Sequence, residues 1–256
     1  MRNTVTAALA LLLTLPLFLP AAAGAGDDAE KRRKKAAKKA AKHFRSGEKA
    51  RDKRDFDKAE REYASALELD PSHAKALYGL GQVQMATKRY PEALDTLLRC
   101  KQAYADNAQR DAERAEMDRM AEIRVTRDKI RTLLSGSQKG GGTAHTEIDL
   151  LQQRLLALEQ PLDDPDEHVT PAGVSMAIGS AYFRMGNGAE AEREFLAAVT
   201  ADPSLGEAHN NLAALYFMAG QLEPASRHLE RAEATGFKVH PQLKADIAAA
   251  RAKASP

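Results

Sequence analysis

Histidine, acidic and nucleophilic residues could do chemistry, but in this sequence they form no known catalytic or metal-binding arrangement. The seven histidines are scattered. No two of them lie at i and i+4, and no acidic residue stands at a zinc-type spacing from them. The stretch DDPDEH, Asp163 to His168, lacks the alternating oxygen ligands and the glycine of a calcium loop, which favours a solvated acidic loop. No nucleophile elbow, phosphate loop or dinucleotide fingerprint occurs. The sequence therefore predicts a protein that is not an enzyme, with no metal, cofactor or small-molecule substrate.

The strongest local signal is basic. The stretch KRRKKAAKKAAKHFR, Lys31 to Arg45, holds nine lysines or arginines and no acid, although the whole chain carries only +2. It is compatible with a helix that gathers its cations on one broad face, with alanines filling the other. Alanine is too small to anchor in lipid, so binding would be electrostatic and weakened by salt. One alternative function is therefore polyanion or membrane-surface binding through Lys31, Arg32, Arg33, Lys34, Lys35, Lys38, Lys39 and Lys42.

The N-terminus has the layout of a secretory signal peptide. An uncharged, mostly apolar run spans Val5 to Leu19, and the small residues Ala23 and Ala25 fit a cleavage site before Gly26. We predict a signal peptide over residues 1–25 and an exported, periplasmic or secreted protein. The alternative is a membrane-anchored protein that keeps residues 5–19, because the basic flank resists translocation. With Cys100 as its single cysteine, the chain can form no internal disulfide.

A repeat of 34 residues organises more than half of the chain. DPSHAKAL at Asp70 recurs as DPSLGEAH at Asp202, and both are turn signals between two helical patterns. Four units follow from these turns, at residues 40–73, 74–107, 172–205 and 206–239. Each unit reads as two helices joined by a short polar turn. The small residues of the four units recur in register: Gly47, Gly81, Gly179 and Ala213 in the first helices, and Ala59, Ala93, Ala191 and Ala225 in the second helices.

This pattern resembles the tetratricopeptide repeat family, whose unit is a helix–turn–helix of 34 residues with small residues at set points, often closed by proline. Pro71 and Pro203 match the closing proline, whereas Ala105 and Phe237 replace it in the second and fourth units. The resemblance implies an all-α, helical-repeat solenoid and a non-enzymatic scaffold that binds a protein or peptide segment. The leading interpretation is an exported scaffold for the assembly of an envelope or secreted complex.

The remaining segments are predicted to complete this solenoid. Residues 26–39 form a basic N-terminal helix or arm, 108–171 an irregular helical insert with a glycine-rich loop, and 240–256 a capping helix and tail. In the insert, helices are expected from Asn107 to Leu134 and from Glu147 to Gln160, the first with an apolar stripe of Met117, Met120, Ile123, Ile130 and Leu134. Thr170 is expected to cap the next helix. The middle helices would either pack as a pair that bridges the two repeat pairs or tether two separate modules.

The resemblance also implies a binding groove, because the first helices of such units line the concave side. At the family's inward positions this sequence places a partner-binding set of Tyr78, Phe183, Arg184, Asn210, Phe217 and Met218, with Asn211 beside them. The phenylalanines, Asn211 and Met218 have no obvious packing role in the sequence. Asparagine can pair with both backbone groups of a peptide, and phenylalanine and methionine suit apolar anchors. The alternatives are that Asn211 only braces neighbouring helices and that the middle helices cover the two phenylalanines.

Overall fold

The computed structural model of the chain describes residues 23–136, 143–160 and 170–254, and these residues form ten helices and no strand. The helices are α1 Ala23–Asp52, α2 Phe56–Leu69, α3 Ala74–Ala86, α4 Tyr90–Gly136, α5 Thr143–Leu158, α6 Ala172–Arg184, α7 Gly188–Ala201, α8 Gly206–Met218, α9 Leu222–Ala234 and α10 Pro241–Ala254. Four antiparallel pairs correspond to the four sequence units: α1 with α2, α3 with α4, α6 with α7 and α8 with α9. The predicted all-α solenoid is therefore confirmed.

The recurring glycines are explained by the aromatic or leucine side chain that each one faces. An added Cβ at Gly47 would lie 2.7 Å from the ring of Tyr63, and one at Gly179 would lie 2.7 Å from the ring of Phe195. Gly81 faces Leu97 in the same way, again at 2.7 Å. A contact of this length is too short for a real Cβ, so the two helices of a unit pack this closely only because the first one has no side chain there.

The turns between units are held by the aspartate and serine of the repeated DPS motif. Oδ1 of Asp70 accepts hydrogen bonds from the backbone N–H and the hydroxyl of Ser72, and Oδ1 of Asp202 accepts the same two from Ser204. These two bonds lower the pKa of the Asp202 carboxyl. The turns within the units also repeat, because the residue with a positive φ is the fifteenth of every unit: Arg54, Lys88, Gly186 and Gly220.

The two repeat pairs form one continuous stack, in which α4 and α6 pack directly against each other. Val174 and Ile178 of α6 share a buried cluster with Leu97 and Cys100 of α4. Nζ of Lys101 also lies 2.8 Å from Oε1 of Glu194 on α7. The insert is therefore neither a bridge between the pairs nor a tether between separate modules, because the second and third units meet without it.

The insert is a helical hairpin that continues out of the second unit. α4 runs unbroken through the predicted boundary at Asn107, and α5 packs against its C-terminal half. Ile123 and Ile130 are buried, together with Ile148 of α5. The predicted stripe was only partly right, because its other members, Met117, Met120 and Leu134, are exposed. α5 also begins at Thr143, ahead of the predicted Glu147.

A capping helix covers the C-terminal end of the stack. α10 is the capping helix, since it packs on α9 and buries Ile247 in the core of the last two units.

The expectation that Thr170 caps α6 was wrong. Pro171 occupies the N-cap position, and no side chain caps the helix.

Some sequence-based predictions fall outside the described residues. These are the apolar run 5–19, most of the glycine-rich loop, and all but Thr170 and Pro171 of the acidic loop region. The cleavage site before Gly26 falls within α1, and cleavage stays a prediction. Among the described helices, none combines the length and apolar character needed to cross a membrane.

Candidate functional site

The first helices of the four units, α1, α3, α6 and α8, lie side by side in one row, on the side that the resemblance predicts to be concave. At the N-terminal end of this row the charged residues are paired with one another. Nη2 of Arg51 lies 2.9 Å from Oε2 of Glu48, and Nη1 of Arg51 donates to Oε1 of Gln82. The hydroxyl of Tyr63 donates to the second oxygen of Glu48, and burial, reinforced by this bond, raises the Tyr63 pKa. These groups stabilise the first two units and are engaged before any ligand arrives.

Tyr78 lies in the middle of the row and has a structural contact. Its hydroxyl donates to the carbonyl oxygen of Gly173 at 3.4 Å, which joins the second unit to the third. The side chain is half-buried, and this burial raises the pKa of its phenol.

At the C-terminal end of the row, Phe183 and Met218 line one open cavity of about 400 Å³. Met218 is 74% exposed, although it is a large apolar residue. The other lining residues come from the turn and first helical turn after α6 and from the end of α8: Gly186, Gly188, Ala189, Glu192, Leu215 and Ala219. The structure therefore brings these two predicted residues together at the edge between the third and fourth units.

Both predicted phenylalanines also have a packing role that the sequence did not reveal. Phe183 and Phe217 are half-buried against a core cluster that includes Phe195 of α7 and Leu212 of α8. The expectation that they lack a packing duty is therefore wrong. The middle helices do not provide this cover, because the cluster belongs to the last two units and the capping helix.

The two asparagines of α8 are both half-buried. Oδ1 of Asn210 is buried and has no hydrogen-bond partner among the described residues. A buried amide oxygen without a partner is costly in a native structure, so a rotation of the Asn210 side chain that exposes this oxygen to an N–H group of a ligand would relieve that cost. Arg184 is exposed at the end of α6.

The structure also pairs two histidines that form no recognised motif in the sequence. Nδ1 of His209 on α8 lies 3.0 Å from Nδ1 of His228 on α9, and Nε2 of His209 lies 3.2 Å from the carbonyl oxygen of Pro203. Burial lowers the pKa of both, that of His228 to about 4 with a further contribution from the nearby His209. In the part of the chain that the structure describes, no group of three or more metal-ligating side chains surrounds them.

The positions of the two histidines within the repeat unit could have predicted this pair. His43 and Glu62 of the first unit stand 19 residues apart, like His209 and His228, and their side chains lie 2.8 Å from each other. Residues at these two places of a unit face each other across the helix pair. Histidines 19 residues apart within one unit were therefore predictable neighbours.

The predicted basic segment forms one helix with the first repeat helix, since α1 runs through Lys31 to Arg45 without a break. All eight predicted polyanion-binding side chains are exposed along it. Lys34 pairs with Glu30 of the same helix at 2.6 Å. The segment therefore presents a continuous basic surface at the N-terminal end of the stack.

A match to a known family agrees with this geometry. The family model for the tetratricopeptide repeat matches residues 44–108 and 176–236, which fall within the four units except for residue 108. Among curated proteins, no relative matches the sequence. The crystal structure of PilW, a type IV pilus biogenesis factor, aligns at a TM-score of 0.41 and 17% identity, over 83% of this chain and 86% of that one. MamA aligns at 0.31 and 20% identity, over 77% and 91%. YrrB, a TPR protein with an unusual peptide-binding site, aligns at 0.27 and 20% identity, over 84% and 92%. The family match and the four stacked helix pairs establish that this chain belongs to the tetratricopeptide repeat family.

Proposed function

We propose that the protein is an exported scaffold that binds an extended segment of a partner protein at the concave side of its last two units, in the assembly of an envelope or secreted complex. Tetratricopeptide repeat proteins are in general non-enzymatic interaction scaffolds. The proposed binding surface rests on one observation: Met218 is exposed, and it lines the same cavity as Phe183.

The cavity is suited to one apolar side chain of the partner. Phe183 and Leu215 form apolar parts of its lining, and Met218 adds a flexible apolar surface. Glu192 is the one charged lining residue, and its Oε1 accepts a hydrogen bond from the hydroxyl of Tyr216 at 2.8 Å. This bond holds the carboxylate at the side of the α8 residue Tyr216 and leaves the rest of the lining uncharged. A volume of about 400 Å³ lies in the range of ligand-binding pockets.

A backbone contact is available on the same helix. Met218 follows Asn210 by eight residues, so the two are separated by roughly 12 Å along the axis of α8 and by about 80° around it. About four residues of an extended peptide cover this distance. A peptide whose side chain fills the cavity can therefore also run past Asn210, whose buried Oδ1 would accept a backbone N–H once that side chain turns outward. This arrangement favours an extended ligand.

Met218→Glu should weaken binding of such a peptide at least about tenfold, because it places a charge at an apolar contact. Asn210→Ala should weaken it by roughly 1 kcal/mol, the value of one hydrogen bond. The ligand would be selected from a displayed random-peptide library on the wild-type protein, and its affinity measured by fluorescence anisotropy. Met117→Glu is the matched control, since Met117 is 66% exposed but lies on the distant insert hairpin. An equal loss in both methionine variants, or none in Met218→Glu, would place the binding surface elsewhere.

Export has its own test. The proposal rests on the apolar run Val5 to Leu19 followed by Ala23 and Ala25. Intact-mass measurement of the natively produced protein should give a chain that starts at Gly26 or Asp27. A chain that keeps Met1 or Arg2 and sediments with membranes would show an anchor instead.

A further inference from the structure

We infer that the protein has a second binding site, for an acidic peptide segment carrying an apolar residue, in the cleft between α1 and α4. The cleft is an open cavity of about 650 Å³. α1 contributes Arg33, Ala36 and Ala37, while Tyr104, Asn107 and Arg110 come from α4. The last residue of α2, the turn that follows it and the start of α3, together residues 69–75, supply the rest of the lining. The cleft exists because α1 begins before the first unit and α4 continues beyond the second.

Three cations from three different helices face this cleft. They are Arg33 of α1, Lys75 of α3 and Arg110 of α4. Arg33 and Lys75 form no ion pair with any carboxylate that the structure describes, and Arg110 donates to the amide oxygen of Asn107. Cations that converge on one cavity without acidic partners create a positive potential that attracts an anionic ligand.

The acidic part of the lining does not balance these cations. Asp70 is the one acidic lining residue, and it stands against Arg33, Lys75 and Arg110. The cleft also opens beside the basic surface of α1, where Lys31 to Arg45 includes nine cations and no acid. The charge complementarity therefore calls for a ligand with several carboxylates.

The lining is also partly apolar, which decides between kinds of polyanion. Ala36, Ala37, Leu69, Pro71 and Tyr104 line the same cavity as the cations. A phosphate chain or a lipid headgroup makes no use of such a surface. An acidic peptide does, because one aliphatic side chain can bury itself there while the carboxylates pair with the cations. The occupant that fits both features is an acidic peptide with an apolar anchor.

This inference does not depend on the proposed function. The cleft lies at the N-terminal end of the stack, beside the first two units, whereas the cavity beside Met218 lies in the last two. Variants at one place should leave the other unaffected, so the two ideas can fail separately.

The test uses the full chain and a fluorescein-labelled peptide of aspartates and glutamates with one central leucine, followed by fluorescence anisotropy. Arg33→Glu and Arg110→Glu should each weaken binding at least about tenfold. The control is Lys35→Glu, which makes the same charge change on an exposed residue of α1 about 200° around the axis from Arg33. It should weaken binding less than about threefold, through the long-range field alone. Replacing the peptide's leucine with serine should weaken binding about tenfold, and Met218→Glu should change nothing.

Three results would overturn the inference. An equal loss in Arg33→Glu and Lys35→Glu would show diffuse attraction to the basic face of α1. Equal affinity for the leucine and serine peptides would show that the apolar lining is not used. Displacement of the peptide by polyphosphate or by phosphatidylglycerol vesicles at lower concentration than by unlabelled peptide would assign the cleft to phosphate groups.

Discussion

Replacing Phe195 with alanine should lower the free energy of unfolding by about 3–5 kcal/mol, measured by urea denaturation. Phe195 is fully buried at the centre of the core of the third and fourth units. Truncation removes its apolar contacts and leaves a cavity between α6, α7 and α8 that the rigid helix pairs fill only in part. Leu196→Ala is the matched control, because Leu196 is the next residue on α7 and is 37% exposed. Its cost should be about 1 kcal/mol or less.

A double-mutant cycle tests the contact that sets this spacing. Gly179→Ala alone should cost about 1–3 kcal/mol, since its Cβ would lie 2.7 Å from two ring carbons of Phe195. In the Phe195→Ala background the same change should be neutral or stabilising, because the ring is gone and alanine is the better helix former by about 1 kcal/mol. An equal cost of Gly179→Ala in both backgrounds would show that the ring does not limit the approach of α6 and α7.

The parts of the fold that repeat were the parts that the sequence could predict. Each unit contacts mainly its neighbours, so one register determines many contacts at once. Gly47, Gly81 and Gly179 occupy the same place in their units, and the structure gives each the same partner position in the second helix. The His209–His228 pair follows from the same register, although it is found only by comparing units rather than by searching for a histidine motif.

The insert could be predicted less well, because no repeat constrains it. The predicted boundary at Asn107 was wrong, although the absence of glycine and proline between Glu92 and Ser135 would have allowed one continuous helix to be predicted. The sequence could not predict that the second unit packs directly on the third, because the length of an insert does not fix where its two ends lie. The same applies to the exposure of Met117, which depends on the angle at which α5 crosses α4.

The candidate binding site could be predicted better than the insert but less well than the repeats. The family register placed Phe183 and Met218 at inward positions, and the structure shows that both line one cavity. The register could not show that Phe183 and Phe217 also pack against the core, because burial at these positions depends on the neighbouring unit and the capping helix. The exposed Met218 is therefore the better residue for testing binding, since changing it leaves the core intact.

Lowering the pH from about 7.5 to about 5 should reduce the free energy of unfolding by about 2 kcal/mol through His228 alone. Burial is the first cause that holds its pKa near 4, followed by the charges of His209, Arg231 and Arg227. In the unfolded chain its pKa is about 6.5, so the unfolded state binds the proton first as the pH falls. The stabilisation is therefore complete at pH values above about 6.5, declines between 6.5 and 4, and is fully lost below 4.

The difference between the wild type and His228→Gln isolates this contribution from the other titrating groups. Glutamine is neutral at every pH and can still hydrogen-bond to His209, which faces residue 228 from α8, as does Tyr216. Urea denaturation of both proteins at the two pH values gives the comparison. We expect the wild type to lose about 2 kcal/mol more than His228→Gln over this range. The same pH dependence in both proteins would show that His228 takes up its proton in the folded state near its ordinary pKa, so that the histidine pair is open to water and protonates without loosening the last helix pair.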